Sequence, residues 1–83
     1  MHEVINVNRY DPVEQLDGSY IFPDGAQRWY NDSGLRHKED GPAVILYNKA
    51  HWYINGTKYS FNDWLKLTTI TDEEKMLLRL QYA

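Results

Sequence analysis

The chain has 83 residues, no cysteine, twelve acidic against nine basic side chains, and an aromatic set of three Trp, seven Tyr and two Phe. That length sets the expectation of one domain, residues 1–83. The missing cysteines exclude a disulfide framework, a cysteine-held zinc and a thiol nucleophile. No apolar run reaches the ~18 residues of a membrane span. The opening Met-His-Glu-Val-Ile-Asn has neither the basic stretch nor the apolar block of a signal peptide, so a cytoplasmic location and no membrane partner are expected. A chain this small must draw much of its core from the aromatic residues, each of which can bury on the order of 150–250 Å².

In residues 1–17, Ile5 and Val7 alternate with polar neighbours as in a strand. Asp11-Pro12-Val13-Glu14 offers a cap residue, Pro at the first helical position and a following acid, which predicts one short helical turn. Turn signals then recur at Asp17-Gly18, Pro23-Asp24-Gly25, Asp32-Ser33-Gly34, Asp40-Gly41-Pro42, Asn48-Lys49 and Asn55-Gly56. The segments between them are rich in aromatic and β-branched residues, the pattern of successive hairpins. Asn55-Gly56 suits a type I′ turn that sets Trp52 opposite Tyr59 and Tyr53 opposite Lys58. At Pro23-Asp24-Gly25 a type I turn with Gly25 as a bulge competes with a two-residue loop. Asn48-Lys49 is expected to close a hairpin between residues 43–47 and 50–54. Beyond residue 59, Ser60 can cap a short helix whose Phe61, Trp64 and Leu65 share a face. Thr71 and Glu74 form a capping box for a helix over residues 72–81. Its main apolar stripe is Met76, Leu77 and Leu80. A second, Leu78 and Tyr82, lies on roughly the opposite side, so either the helix is wedged between two layers or one stripe, with Leu78 and Tyr82 the candidate, meets another copy of the chain.

Trp29-Tyr30 recurs as Trp52-Tyr53, and each pair is followed by an Asn- and Gly-containing turn. One such unit is a hairpin too small to bury its own face, so the copies must stack or share a sheet. Asp24-Gly25, Trp29-Tyr30, the run from Gly34 through His37-Lys38-Glu39-Asp40-Gly41-Pro42-Ala43, and Trp52-Tyr53-Ile54-Asn55-Gly56 together resemble the MORN-type repeat variants of small bacterial and bacteriophage proteins. The likeness covers roughly residues 18–59, and His-x-Glu-Asp-Gly-Pro-Ala is its most specific part. It implies hairpin repeats used for contact with other molecules and no catalytic mechanism. The chain departs by holding fewer than two full copies and by its helical end, residues 60–83, so a closed and capped unit is expected.

His37, Glu39 and Asp40 form the densest polar cluster and could serve a small hydrolase or nuclease, or hold a metal. The plainer reading is a polar loop whose groups bond local backbone. His2 and His51 add no ligand spacing. Ser19, Ser33 and Ser60 occupy turn or cap positions, and no serine sits in a nucleophile elbow. No phosphate-binding glycine loop is present. Asn31-Asp32-Ser33 and Asn55-Gly56-Thr57 match glycosylation sequons but read as turns. Neither cofactor nor metal is expected, and an enzyme is not.

Alternation along the strands puts Trp29 and Trp52 in the core and Tyr30 and Tyr53 on the other face, joined by Tyr47 and Lys58. Tyr, Trp and Arg dominate binding hot spots, so Tyr30, Tyr53, Tyr47 and Lys58 are the candidate partner-binding residues. The first forty residues carry eight acids against four Lys or Arg, which argues against nucleic acid. A minor option is that Asp11, Glu14, Asp17, Asp24 and Asp32 imitate a nucleic-acid backbone toward a basic partner. The fold expected is α+β: an antiparallel meander of about five strands, a short helix and a C-terminal helix. The function expected is non-catalytic protein binding, extended by the phage-like resemblance to inhibition of a host (defence) protein in the host cytoplasm. A self-assembling structural module, as a homodimer, is the alternative.

Overall fold

Hairpin follows hairpin along the chain because most of the tight turns have Gly or Asn where the backbone requires a positive φ. The computed structural model describes residues 11–82. Six short strands, β1 (Val13–Glu14), β2 (Tyr20–Ile21), β3 (Gln27–Arg28), β4 (Val44–Leu46), β5 (Lys49–Ile54) and β6 (Thr57–Tyr59), form one antiparallel sheet in sequence order. Helices α1 (Phe61–Leu67) and α2 (Asp72–Tyr82) follow, giving an α+β fold. The strand expected at Ile5 and Val7 lies outside the described residues.

Three turns share one construction. At Pro23-Asp24-Gly25, the Gly25 N–H donates to Phe22 O at 2.8 Å and the Phe22 N–H to Ala26 O at 2.9 Å. Gly25 sits at φ +87°, so the type I turn with a glycine bulge prevails over the two-residue loop. Leu16-Asp17-Gly18 and Asp32-Ser33-Gly34 repeat the same pair of bonds and the positive glycine φ. Asp17 and Asp24 tighten their turns by accepting the amide two residues on, from Ser19 and Ala26, each at 2.9 Å.

The two remaining hairpins use two-residue turns. Asn55-Gly56 has positive φ at both centres and sets Trp52 opposite Tyr59 and Tyr53 opposite Lys58, the expected register. The other turn falls on Tyr47-Asn48, with φ of 51° and 62°, and not on Asn48-Lys49. The shift pairs Leu46 with Lys49, Ile45 with Ala50 and Val44 with His51. It keeps Ala50 beside Trp52's core and leaves Tyr47 at the hairpin tip. Asp11-Pro12-Val13-Glu14 is also not helical. Val13 pairs with Ile21 and Glu14 with Tyr20, adding a sixth strand, because the Leu16-Asp17-Gly18 turn folds this segment back onto β2.

One face of the sheet carries the helices. Trp52, Trp64 and Leu65 form the buried cluster, with Ala50, Ile54, Tyr59, Phe61, Ile70 and Leu78 packed on it. Trp64 has no exposed surface, and its ring centroid lies 4.6 Å from that of Trp52. Ser60 Oγ caps α1 by accepting the Asp63 N–H at 3.2 Å. Thr71 Oγ1 accepts the Glu74 N–H while Glu74 Oε1 accepts the Thr71 N–H, the expected capping box. Trp29 lies outside the buried cluster. Half-buried, it is covered by Lys38, whose Nζ sits 3.8 Å from its ring centroid, since α1 packs mainly on β5 and β6.

The two stripes of α2 exchange the roles expected of them. Leu78 packs on the core and the Tyr82 ring meets Trp52 edge-on at 5.1 Å, so this pair leans on the core, with Tyr82 still 37% exposed. Met76, Leu77 and Leu80 point outward, Leu80 with 78% of its surface exposed. The short 68–71 connector sets this rotation, because it places Ile70 and Leu78 together against the cluster.

Candidate functional site

With α1 and α2 on one face, the residues of opposite parity define a face that is helix-free among the described residues. Directly paired residues share a face and neighbours along a strand alternate. Lys49, His51 and Tyr53 of β5, Lys58 of β6, Arg28 of β3 and Tyr20 of β2 therefore lie together. Tyr30 joins them just beyond β3, where it bridges to Arg36.

Arg36 organises the centre of this face. Its Nη1 donates to the Tyr53 hydroxyl at 3.4 Å, and its guanidinium carbon stands 5.5 Å from the Tyr53 ring centroid. Burial works against the charge, yet the hydroxyls of Tyr53 and Tyr30 outweigh it and raise the Arg36 pKa above its ordinary value. Tyr30 and Tyr53 come from the two repeat copies, and Arg36 brings them to one spot. The copies also meet at their turns, where Asn31 Nδ2 donates to Asn55 Oδ1 at 3.0 Å. Both sequon asparagines are thus engaged in turns.

Beside Arg36 an open cleft of about 320 Å³ is lined by Pro12, Tyr20, Phe22, Tyr30, Asn31, Asp32 and Gly34. Tyr20 meets Tyr30 edge-on at 6.0 Å and Phe22 tilts against it at 6.4 Å. Arg28, paired with Asp24 at 3.5 Å, stacks on Phe22 at 4.3 Å and stiffens the wall. Of the four candidate binding residues, Tyr30 and Tyr53 meet through Arg36 and Lys58 lies across from Tyr53. Tyr47 stands apart at the β4–β5 tip, 79% exposed. Tyr20, Phe22, Arg36, Lys49 and His51 belong to the face but were not among the candidates. Strand parity was a usable signal for Lys49 and His51. Nothing local signals Arg36, which arrives through a turn.

The segment from His37 to Asp40 has a different task. His37, in its Nε2–H tautomer, accepts the Asn55 N–H at Nδ1, 3.0 Å, and reaches Glu39 Oε2 at 3.2 Å. The Thr69 hydroxyl donates to Glu39 Oε1 at 2.6 Å, the Thr68 hydroxyl donates to Glu39 O, and Trp64 Nε1–H donates to Lys38 O at 3.1 Å. The Lys38 N–H donates to Tyr53 O and the Gly56 N–H to Arg36 O. These bonds make the segment a strap tying the β5–β6 hairpin to the end of α1. The Thr69 hydroxyl, then His37, hold the Glu39 pKa below its ordinary value. Asp40 lies 3.9 Å from Lys38 Nζ, and none of His37, Glu39 and Asp40 lines the cleft. Among the described residues no group of three or more His, Asp or Glu side chains is placed to hold a metal ion. Nor is any helix among them long and apolar enough to cross a membrane.

No family model, curated protein or solved structure matches the chain.

Proposed function

We propose that the chain is a non-catalytic protein-binding module whose helix-free sheet face makes the contact. The observation that carries this reading is the convergence of Tyr30, Arg36 and Tyr53 on one face beside the aromatic cleft. Tyr and Arg are the side chains that most often dominate an interface, and here Tyr53 sits on β5 while Tyr30 and Arg36 are held to each other by a bridge. Little ordering cost would accompany binding to such a surface. Tyr47, exposed at a hairpin tip, and Lys58, opposite Tyr53, extend the contact. The chemistry of the strap supports the same reading, because His37 and Glu39 are engaged in holding the fold and lie away from the cleft. The resemblance to MORN-type repeat variants of bacteria and bacteriophages extends the proposal to a small accessory protein that binds and inhibits a host protein.

Affinity capture from a bacterial lysate, with the wild-type chain beside the Tyr30→Ser/Tyr53→Ser double variant, tests the module. Wild type should retain one stoichiometric protein, and the variant, shown by circular dichroism to be folded, should lose it by at least about thirtyfold in affinity. Equal capture by both chains would sink the assignment. A second reading, self-assembly into a homodimer, is favoured by the outward stripe of Met76, Leu77 and Leu80 on α2. Light scattering at high concentration decides it: a monomer mass removes it, and a dimer mass that Leu80→Glu abolishes supports it.

A further inference from the structure

We infer that the basic end of the helix-free face, Arg36, Lys49, His51 and Lys58 around the Tyr53 ring, docks an acidic segment of the partner protein. The inference rests on the protein-binding reading and names the chemistry of the partner at that site. Lys49, His51 and Tyr53 alternate along β5 and so project from one side, with Lys58 directly across from Tyr53. Arg36 lies over the same ring, 5.5 Å from its centroid. Among the described residues Arg36, Lys49 and Lys58 form no ion pair with a carboxylate, whereas Arg28, Lys38 and Lys66 each have one. Lys49 and Lys58 are exposed, so their charges are available to a ligand.

A concentration of like charge is unusual in a chain whose net charge is −3. Its electrostatic consequence is visible at His51. Burial first, then Lys58, Lys49 and Arg36, push the His51 pKa below its ordinary value. The other neighbours in register are Val44 on β4 and Tyr53 on its own strand, and neither supplies an opposing charge. An acidic segment laid here would relieve the repulsion among the cations, and binding would favour proton uptake by His51.

A protein ligand fits the face better than a nucleic-acid strand does. From Lys49 to Tyr53 the patch spans about 13 Å, the reach of a few extended residues. At the far end of the same face stand carboxylates: Glu14, paired with Tyr20, and Asp32 on the cleft rim. A phosphate backbone running along the sheet would meet them, whereas a short acidic segment confined to the β5–β6 end would not.

Three probes test this on the full chain: poly-L-glutamate of about 20 residues, poly-L-lysine of the same length, and a dT20 oligonucleotide, each followed by amide chemical shifts at about 0.02 and 0.3 M salt. Poly-L-glutamate should bind and shift the amides of Arg36, Lys49, His51, Tyr53 and Lys58. Its affinity should fall by about tenfold at the higher salt, and again in the Lys49→Glu/Lys58→Glu variant, whose exposed positions should leave the fold unchanged. Acidification through the ordinary histidine range should tighten binding, and His51→Gln should abolish that effect. Failure of poly-L-glutamate to bind, or binding unchanged in the charge-reversed variant, would overturn the inference. So would dT20 as the ligand of this patch. Captured protein lost by the Tyr30/Tyr53 variant but retained by Lys49→Glu/Lys58→Glu would overturn it while leaving the protein-binding module standing.

Discussion

Trp64 does two jobs that a single substitution can separate. Its ring is fully buried against Trp52 and Phe61, and its Nε1–H is the partner of Lys38 O in the strap. Trp64→Phe keeps most of the burial but leaves that carbonyl without its donor, which should cost about 1–3 kcal/mol in urea denaturation. Trp64→Ala also removes the ring and should cost about 3–5 kcal/mol, a large share of what holds a small domain together. Tyr47 poses the opposite case. At φ 51° it holds a left-handed backbone that costs an ordinary L residue roughly 1–2 kcal/mol. Asn tolerates this conformation, so Tyr47→Asn should raise the denaturation midpoint, by about 1 kcal/mol of stability. The same change should weaken partner capture if the exposed ring is a contact. A strained aromatic at a hairpin tip is the kind of local conflict that function can sustain. The aromatic type of both residues was plain in the sequence. Their different fates depend on which side of a turn or helix each one faces.

Among the elements, α2 has the least regular attachment. Only Leu78 and Tyr82 lean on the core, and the helix has no buried residue. Leu78→Ala should therefore cost about 1–2 kcal/mol, while Leu80→Ala should stay within about 0.5 kcal/mol. Measured by thermal unfolding of the two variants, equal losses would mean that the helix is rotated from the orientation described. The helix itself was legible from Thr71-Asp72-Glu73-Glu74, since a capping box and acids in the first turn act within one turn of backbone. Its rotation was not. Both stripes are apolar, and periodicity alone cannot say which of them the connector turns toward Trp52. Asn48-Lys49 failed as the expected turn for a related reason. Asn48 and Lys49 look like better turn residues than Tyr47, but the register that keeps Ala50 and Trp52 on the core face outweighs local preference.

At the scale of the whole molecule, acidity should be the simplest perturbation to read. Three carboxyls are held below their ordinary pKa: Asp17 by the Ser19 hydroxyl and amide, Asp24 by the Ala26 amide, and Glu39 by the Thr69 hydroxyl and then His37. A depressed carboxyl contributes stability that is complete above its unfolded pKa and is lost as pH falls through the folded one. His51 acts in the same direction at higher pH, because its folded pKa also lies below the unfolded value and the folded state resists its protonation. Melting temperature should thus decline first below roughly pH 6.5 and again below roughly pH 4. His51→Gln should remove the first decline and leave the second. A melting temperature flat from pH 7 to 5 in the wild-type chain would contradict the burial and charge environment assigned to His51.

What the sequence determined by itself is the local chemistry: the Asp-Gly and Asn-Gly turns, the alternation between them, the caps at Ser60 and Thr71, and hence an antiparallel meander followed by two helices. These features rest on interactions within a few residues, so they can be read without knowing the rest of the fold. Tertiary structure decided which side of each element was covered. It placed Trp52 under α1 but left Trp29 to Lys38, turned Leu78 and Tyr82 inward, and carried Arg36 through a turn to stand between Tyr30 and Tyr53. It also gave His37 and Glu39 their place in the strap, with partners at Asn55 and Thr69 that lie 18 and 30 residues away in the chain. Contacts at that separation depend on how the sheet and helices meet, and no short-range pattern encodes that meeting.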